Sequence, residues 1–138
     1  MAISVSNLAR SIEFYSEVLG FELQRIIDAP PERRLGDIVG LLGCSARIAH
    51  LHPADGTPFM LELFEYGDPV GRPMASERNQ ADIGISHIGF TSSDARGDYL
   101  RFQELNVVCL SEPVEFRPGV WLFYFRGPDS EVCEFRET

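Results

Sequence analysis

Hydrophobic and polar residues along this chain follow first a two-residue and then a helical period, and the switch occurs twice in the same order. Ile3-Ser4-Val5 alternates as a strand does. From Asn7 onward Leu8, Ile12, Tyr15 and Leu19 recur at helical spacing; Asn7 is placed to cap that helix, and Gly20 suits the left-handed residue that ends it. Residues 21–26 return to a strand. A charged, Pro-bearing stretch, 28–37, reads as a loop, followed by a short apolar segment, 38–42, whose type stays open. Residues 47–51 and 59–64 are predicted strands, joined as a hairpin around Ala54-Asp55-Gly56-Thr57-Pro58.

The second half repeats the sequence of elements. His87-Ile88-Gly89-Phe90 opens a strand, and Asp94 caps a helix through Tyr99 and Phe102, which Gly97 weakens by about 1 kcal/mol. Asn106 can take the left-handed role of Gly20, within the segment Leu105-Asn106-Val107-Val108 that follows the helix. Val114-Glu115-Phe116, Trp121-Leu122-Phe123-Tyr124-Phe125 and residues 131–135 supply the remaining strands, with Trp121, Phe123 and Phe125 sharing a core face. Sliding one copy by 87 positions (94 − 7) lays Asp94 on Asn7 and Phe102 on Tyr15. The pattern predicts an α+β fold of two βαβββ modules in a single domain. Module one is about 1–66, a polar linker rich in Gly and Pro is about 67–83, and module two is about 84–138.

Composition narrows the function. A chain of 138 residues can bury a core without metal or disulfide staples. A formal charge of −9 argues against nucleic acid, which needs a basic stripe. No apolar run reaches membrane-spanning length and no signal-peptide pattern opens the chain, so it reads as cytoplasmic. Cys44, Cys109 and Cys133 are an odd, widely spaced set that suits reduced, buried thiols. All twelve basic residues are Arg, which excludes Schiff-base chemistry through a lysine.

Strand alternation singles out three residues. Glu62 shares a strand face with Met60 and Phe64, and Glu134 shares one with Val132 and Arg136, at repeat-related positions. A carboxylate among apolar neighbours is costly unless it is neutral, paired or bound to a cation. With His87 on the strand that opens module two, these are the residue types of a divalent-metal site.

The chain resembles the vicinal oxygen chelate superfamily of glyoxalase I, methylmalonyl-CoA epimerase, extradiol dioxygenases and bleomycin- or fosfomycin-resistance proteins. The residues that carry the resemblance are the run from Val5 to Tyr15, Leu19-Gly20-Phe21, Leu61-Glu62-Leu63, His87-Ile88-Gly89-Phe90, and Gly127-Pro128-Asp129 through Glu134-Phe135. It implies a glyoxalase-like fold whose two modules form a cupped mixed sheet. It also implies four metal ligands, one from the opening and one from the closing strand of each module. Three map onto Glu62, His87 and Glu134, with Glu62 and Glu134 also the implied catalytic carboxylates. The fourth maps to position zero (87 − 87), just before Met1. Two expectations stand: a His immediately upstream, or a site that has lost one ligand.

The implied activity is a metal-dependent, glyoxalase-type lyase or isomerase. It would use Zn, Ni, Co, Mn or Fe for Lewis-acid activation and proton transfer on a small-molecule substrate with adjacent oxygens. Extradiol-type oxygen chemistry is an alternative, although its ligand set of two His and one Glu leaves open the position that Glu62 fills. A metal-free small-molecule binder of the bleomycin-resistance type is another, and it suits the acidic charge. The resemblance also implies a homodimer. His50 and His52 map to no family ligand and read as surface or satisfied histidines, and Arg10, Arg25 and Arg117 are unranked candidates for an anionic substrate group.

Overall fold

The duplicated pattern folds as two copies of one unit in a computed structural model that describes residues 1–138. The chain divides into units 1–73 and 74–138. Unit one holds β1 (Ala2–Ser4), α1 (Leu8–Leu19), β2 (Phe21–Ala29), α2 (Leu35–Val39), β3 (Ser45–Pro53) and β4 (Leu61–Asp68). Its sheet runs β1-β4-β3-β2, with β1 parallel to β4. Unit two holds β5 (Ile88–Thr91), α3 (Ala95–Glu104), β6 (Val114–Arg117), β7 (Val120–Arg126) and β8 (Val132–Glu137), in the corresponding order β5-β8-β7-β6. These are two βαβββ modules in an α+β fold, as the alternation predicted. No helix is long and apolar enough to cross a membrane.

Both helices start and stop on the expected residues. The Asn7 side chain accepts from the Arg10 N–H at 3.0 Å, and that of Asp94 from the Gly97 N–H at 2.9 Å. Gly20 and Asn106 both take positive φ, +71° and +56°, where the two helices give way to the following segment. Gly97 has a reason to be there: a Cβ would lie 2.3 Å from Asp94 Oδ2, so the residue that weakens α3 also lets its cap close.

A second device repeats as well. The N–H of Leu8 donates to the Glu65 carboxylate, and the N–H of Ala95 donates to Glu137 Oε2 at 2.8 Å. Each acid therefore meets the positive end of a helix. Glu65 and Glu137 stand three residues beyond Glu62 and Glu134, and an odd offset in a strand means the opposite face. One strand thus delivers one glutamate beneath the helix and the other to the helix-free side of the sheet.

Several details differ from the pattern. The buried face of α1 is Leu8, Ser11, Tyr15 and Val18, with Ile12 and Leu19 half-buried at its flanks. Ser11 is small enough to let the helix approach the sheet, but its hydroxyl is buried with no hydrogen-bond partner. Ser11→Ala removes that orphan and adds helix propensity. We expect it to stabilise the protein by about 1 kcal/mol, read as a higher urea midpoint at unchanged m.

The stretch 28–37 is not one loop. β2 continues to Ala29, Pro31–Arg33 forms a 3-10 turn, and α2 follows. Leu35 packs with Ile27, Phe64 and Tyr66 against buried Ala29, Ala46 and Ile48, which covers part of the helix-free face. This excursion has no counterpart in unit two: the opening strands are related by 87 positions (89 − 2) but the closing strands by 72 (134 − 62). In unit two the segment after α3 makes a single bridge, Cys109 to Phe125, and Pro113, which lacks an N–H, precedes β6. Phe123 and Phe125 are core, whereas Trp121 is half-buried with the Arg96 guanidinium 4.8 Å over its ring. All three cysteines are free.

Candidate functional site

The helix-free face of each sheet carries one histidine–glutamate pair. In unit two, β5 runs parallel to β8 with Gly89 beside Glu134, and this register sets His87, just before β5, against the same carboxylate. His87 Nε2 lies 3.5 Å from Glu134 Oε2. On the other side of Glu134, the antiparallel register of β7 and β8 places Tyr124 directly opposite. Burial, and then hydrogen bonding to Glu134 and the charge of that carboxylate, hold the Tyr124 phenol above its ordinary range. It therefore stays protonated at neutral pH and donates to the carboxylate.

His87 itself is held from behind. Ser86 Oγ is 2.8 Å from Nδ1, close enough for a good hydrogen bond. The Tyr124 hydroxyl is 3.5 Å from both ring nitrogens, with the ring centroids 4.8 Å apart, so tyrosine lies along the imidazole in long contact with both nitrogens. A serine hydroxyl can accept as well as donate. With Nδ1–H donated to Ser86, the Nε2 lone pair is free to face Glu134 and a shared cation.

In unit one, Ala2 stands beside Glu62 in the same parallel register, so the counterpart of His87 is the position before Met1. The histidine that Glu62 does meet comes from the other side. His50 on β3 is its direct cross-strand partner, and His50 Nε2 lies 3.5 Å from Glu62 Oε2. Beyond it on β2, Arg25 Nε donates to His50 Nδ1 at 3.1 Å. His50 is buried, 9% exposed, which corrects its reading as a surface residue and gives its satisfied alternative a specific partner. The signal was in the turn: the hairpin pairs residues whose numbers sum to 112, twice that of Gly56, so 50 opposes 62. The same rule about Asp129 pairs Tyr124 with Glu134 (124 + 134 = 258).

Of the predicted site residues, His87 and Glu134 are therefore brought together, and Glu62 is brought to His50. The donors come in pairs; no group of three or more His, Cys, Asp or Glu side chains is assembled. Pairing suits a cation nonetheless. Two ligands about 2.1 Å from a tetrahedral ion are roughly 3.4 Å apart, close to the 3.5 Å seen in each pair. Arg10 instead binds Ser6 Oγ on the surface, and Arg117 lies in an exposed edge strand.

The repeat-related register, the glutamate in each closing strand and the cap geometry define a class in which βαβββ modules carry acids and histidines on the helix-free face. The chain belongs to the glyoxalase/bleomycin resistance protein/dioxygenase superfamily, whose family model matches residues 1–135. It is similar to the uncharacterized protein YwbC of Bacillus subtilis (strain 168), at 28% identity over 96% of this chain and 90% of that one. Its fold matches a glyoxalase family protein from Bacillus cereus with a TM-score of 0.86, at 22% identity over 99% of this chain and 90% of the other. It also matches the trypanothione-dependent glyoxalase I of Leishmania major with a TM-score of 0.70, at 20% identity over 99% and 83%. At such identities the structural likeness is one of fold.

Proposed function

We propose that this protein is a metal-dependent, glyoxalase-type lyase or isomerase whose metal-ligating residues are Glu62 of unit one and His87 and Glu134 of unit two. The observation that carries the reading is the His87–Glu134 pair: a histidine with its Nδ1 anchored, a carboxylate 3.5 Å from its Nε2, and a tyrosine hydroxyl donating to that carboxylate. A divalent ion of the Zn, Ni, Co, Mn or Fe kind, when bound, would supply Lewis-acid polarisation of two adjacent substrate oxygens. Glu134 takes up the proton from the carbon next to the substrate carbonyl, and Glu62 is its repeat-related counterpart for returning a proton. Tyr124, by donating to Glu134, orients the carboxylate and limits its rotation. The apolar cluster of Ile48, Phe64 and Tyr66 on the face of Glu62 excludes water from that end of the sheet.

A homodimer belongs to the same reading. It is supported by the exposed apolar residues Val114 and Phe116 on edge strand β6, which invite pairing with a second copy.

Incubating the intact, tag-free protein with each divalent ion in turn, followed by metal analysis, tests the proposal. About one ion retained per chain, together with turnover of a hemithioacetal or a 2-substituted acyl-CoA thioester, is the expected result. Retention of iron with ring cleavage of a catechol would move the reading to extradiol chemistry. Failure to retain any ion would move it to metal-free small-molecule binding.

A further inference from the structure

The two histidine–glutamate pairs share the same 3.5 Å spacing but not the same chemistry behind the imidazole. Behind His87 stands a serine hydroxyl, which can accept a hydrogen bond from the Nδ1–H. Behind His50 stands a guanidinium, which can only donate. A neutral imidazole whose Nδ1 accepts from Arg25 must carry its proton on Nε2, the nitrogen that faces Glu62. His50 therefore presents an N–H to the carboxylate where His87 can present a lone pair.

We propose that Arg25 and His50 form a positioning pair for Glu62. Arg25 locks His50 in the Nε2–H tautomer, and His50 holds the Glu62 carboxylate in place from the β3 side. His50 is then not a replacement for the ligand position that falls before Met1, despite its matching distance to a glutamate. Sequence register supports the division of labour. His50 and Tyr124 occupy equivalent places, each directly opposite the glutamate of its closing strand. Tyr124 is a hydrogen-bond donor to Glu134, and His50 takes the same donor role toward Glu62. Each glutamate thus keeps one cross-strand donor, with its opening-strand side left for a ligand. The donor role stands on geometry alone; its consequence for ion binding rests on the metal reading above.

The tautomer can be read directly by long-range proton–nitrogen NMR on the intact, metal-free protein in mildly alkaline buffer. With three histidines, single substitution of each assigns the signals. Nδ1 of His50 is expected unprotonated and Nε2 protonated, in the parent and in Glu62→Gln alike. Arg25→Ala is expected to release the ring to a mixture of tautomers. A protonated Nδ1 in the parent, or an unchanged single tautomer in Arg25→Ala, overturns the proposal.

Zinc ion alone then provides the second arm. His50→Leu is expected to weaken zinc binding by about 10–100-fold, and His50→Gln, which keeps an N–H donor near Nε2, to recover most of it. Equal loss in both variants, or a zinc-induced shift of His50 Nε2 into the coordinated range, makes His50 a ligand and overturns its positioning role. A parent that binds no zinc or other divalent ion sinks the metal reading instead, and the tautomer measurement decides the positioning role by itself.

Discussion

His87→Ala is expected to lower divalent-ion affinity by more than about 100-fold and to take turnover down with it, beyond the ~10–100-fold typical of losing an outer-shell partner. Glu134 meets Tyr124 and His87 on its face of the sheet, with the exposed Arg136 two residues further along the strand. Tyr124 keeps its proton and spends it on the carboxylate, so His87 supplies the nitrogen lone pair beside Glu134. Alanine leaves Glu134 with a hydrogen-bond donor but no second ligand.

The fold should survive the change. His87 precedes β5, is partly exposed, and lies against Ser86, Tyr124 and Glu134 rather than in the apolar core. A stability change within about 1 kcal/mol of the parent is therefore expected alongside the loss of ion. Ser86→Ala provides the graded control. It leaves the imidazole but frees its ring, so its ion affinity should fall between the two, by about tenfold. Metal titration of the three proteins side by side checks the series. Parent-like affinity in His87→Ala would remove His87 from the site and, with it, the proposed ligand set.

The duplication was legible because it is written in local signals. Asn7 and Asp94 cap by their own side chains, Gly20 and Asn106 accept positive φ, and the strand glutamates Glu62 and Glu134 stand out against apolar neighbours. The pairing of His87 with Glu134 was legible only through the family resemblance. What could not be read directly was anything set by register between strands. The Arg25–His50 contact depends on an irregularity in the β2–β3 ladder between Leu23 and Arg25, and no residue pattern announces where such a slip falls. A regular ladder would have carried the pairing of Leu23 with Leu51 on to different partners. Glu65 and Glu137 were passed over for another reason: a glutamate near the end of a strand looks solvated until the helix N-terminus above it is placed. The α1 face was misread by one step because Ser11 is polar, and polarity hid a position whose small volume mattered more.

Phe102→Ala should be among the most damaging single changes to stability, costing about 3–5 kcal/mol. Helix α3 has little of its own to hold it down. It carries Gly97 in its first turn, several charged residues, and only two buried positions, Ala95 and Phe102. Phe102 is fully buried and meets Phe123, Phe125 and Phe135 at centroid distances of 5.6, 4.9 and 5.3 Å. Those three rings also touch one another, at 5.5 to 6.1 Å, so the four form a closed aromatic cluster between helix and sheet. Aromatic pairs in such edge-to-face and tilted contacts add about 0.5–1.5 kcal/mol each beyond the area they bury. Truncation removes three of them and opens a cavity that the rigid sheet side cannot close.

Module one offers the contrast. Its helix buries Leu8, Tyr15 and Val18, so no single side chain bears the whole docking. Hydrogen exchange distinguishes a local from a general effect. In Phe102→Ala the amides of α3 should lose protection first, while those of α1 keep theirs until global unfolding. A cost below about 1 kcal/mol would mean that α3 is anchored elsewhere. Because β8 carries both Phe135, in the cluster, and Glu134, on the opposite face, loosening the cluster is also expected to weaken ion binding at His87 and Glu134. Core and site share one strand, and a change more than a side chain away from the ligands reaches them through its backbone.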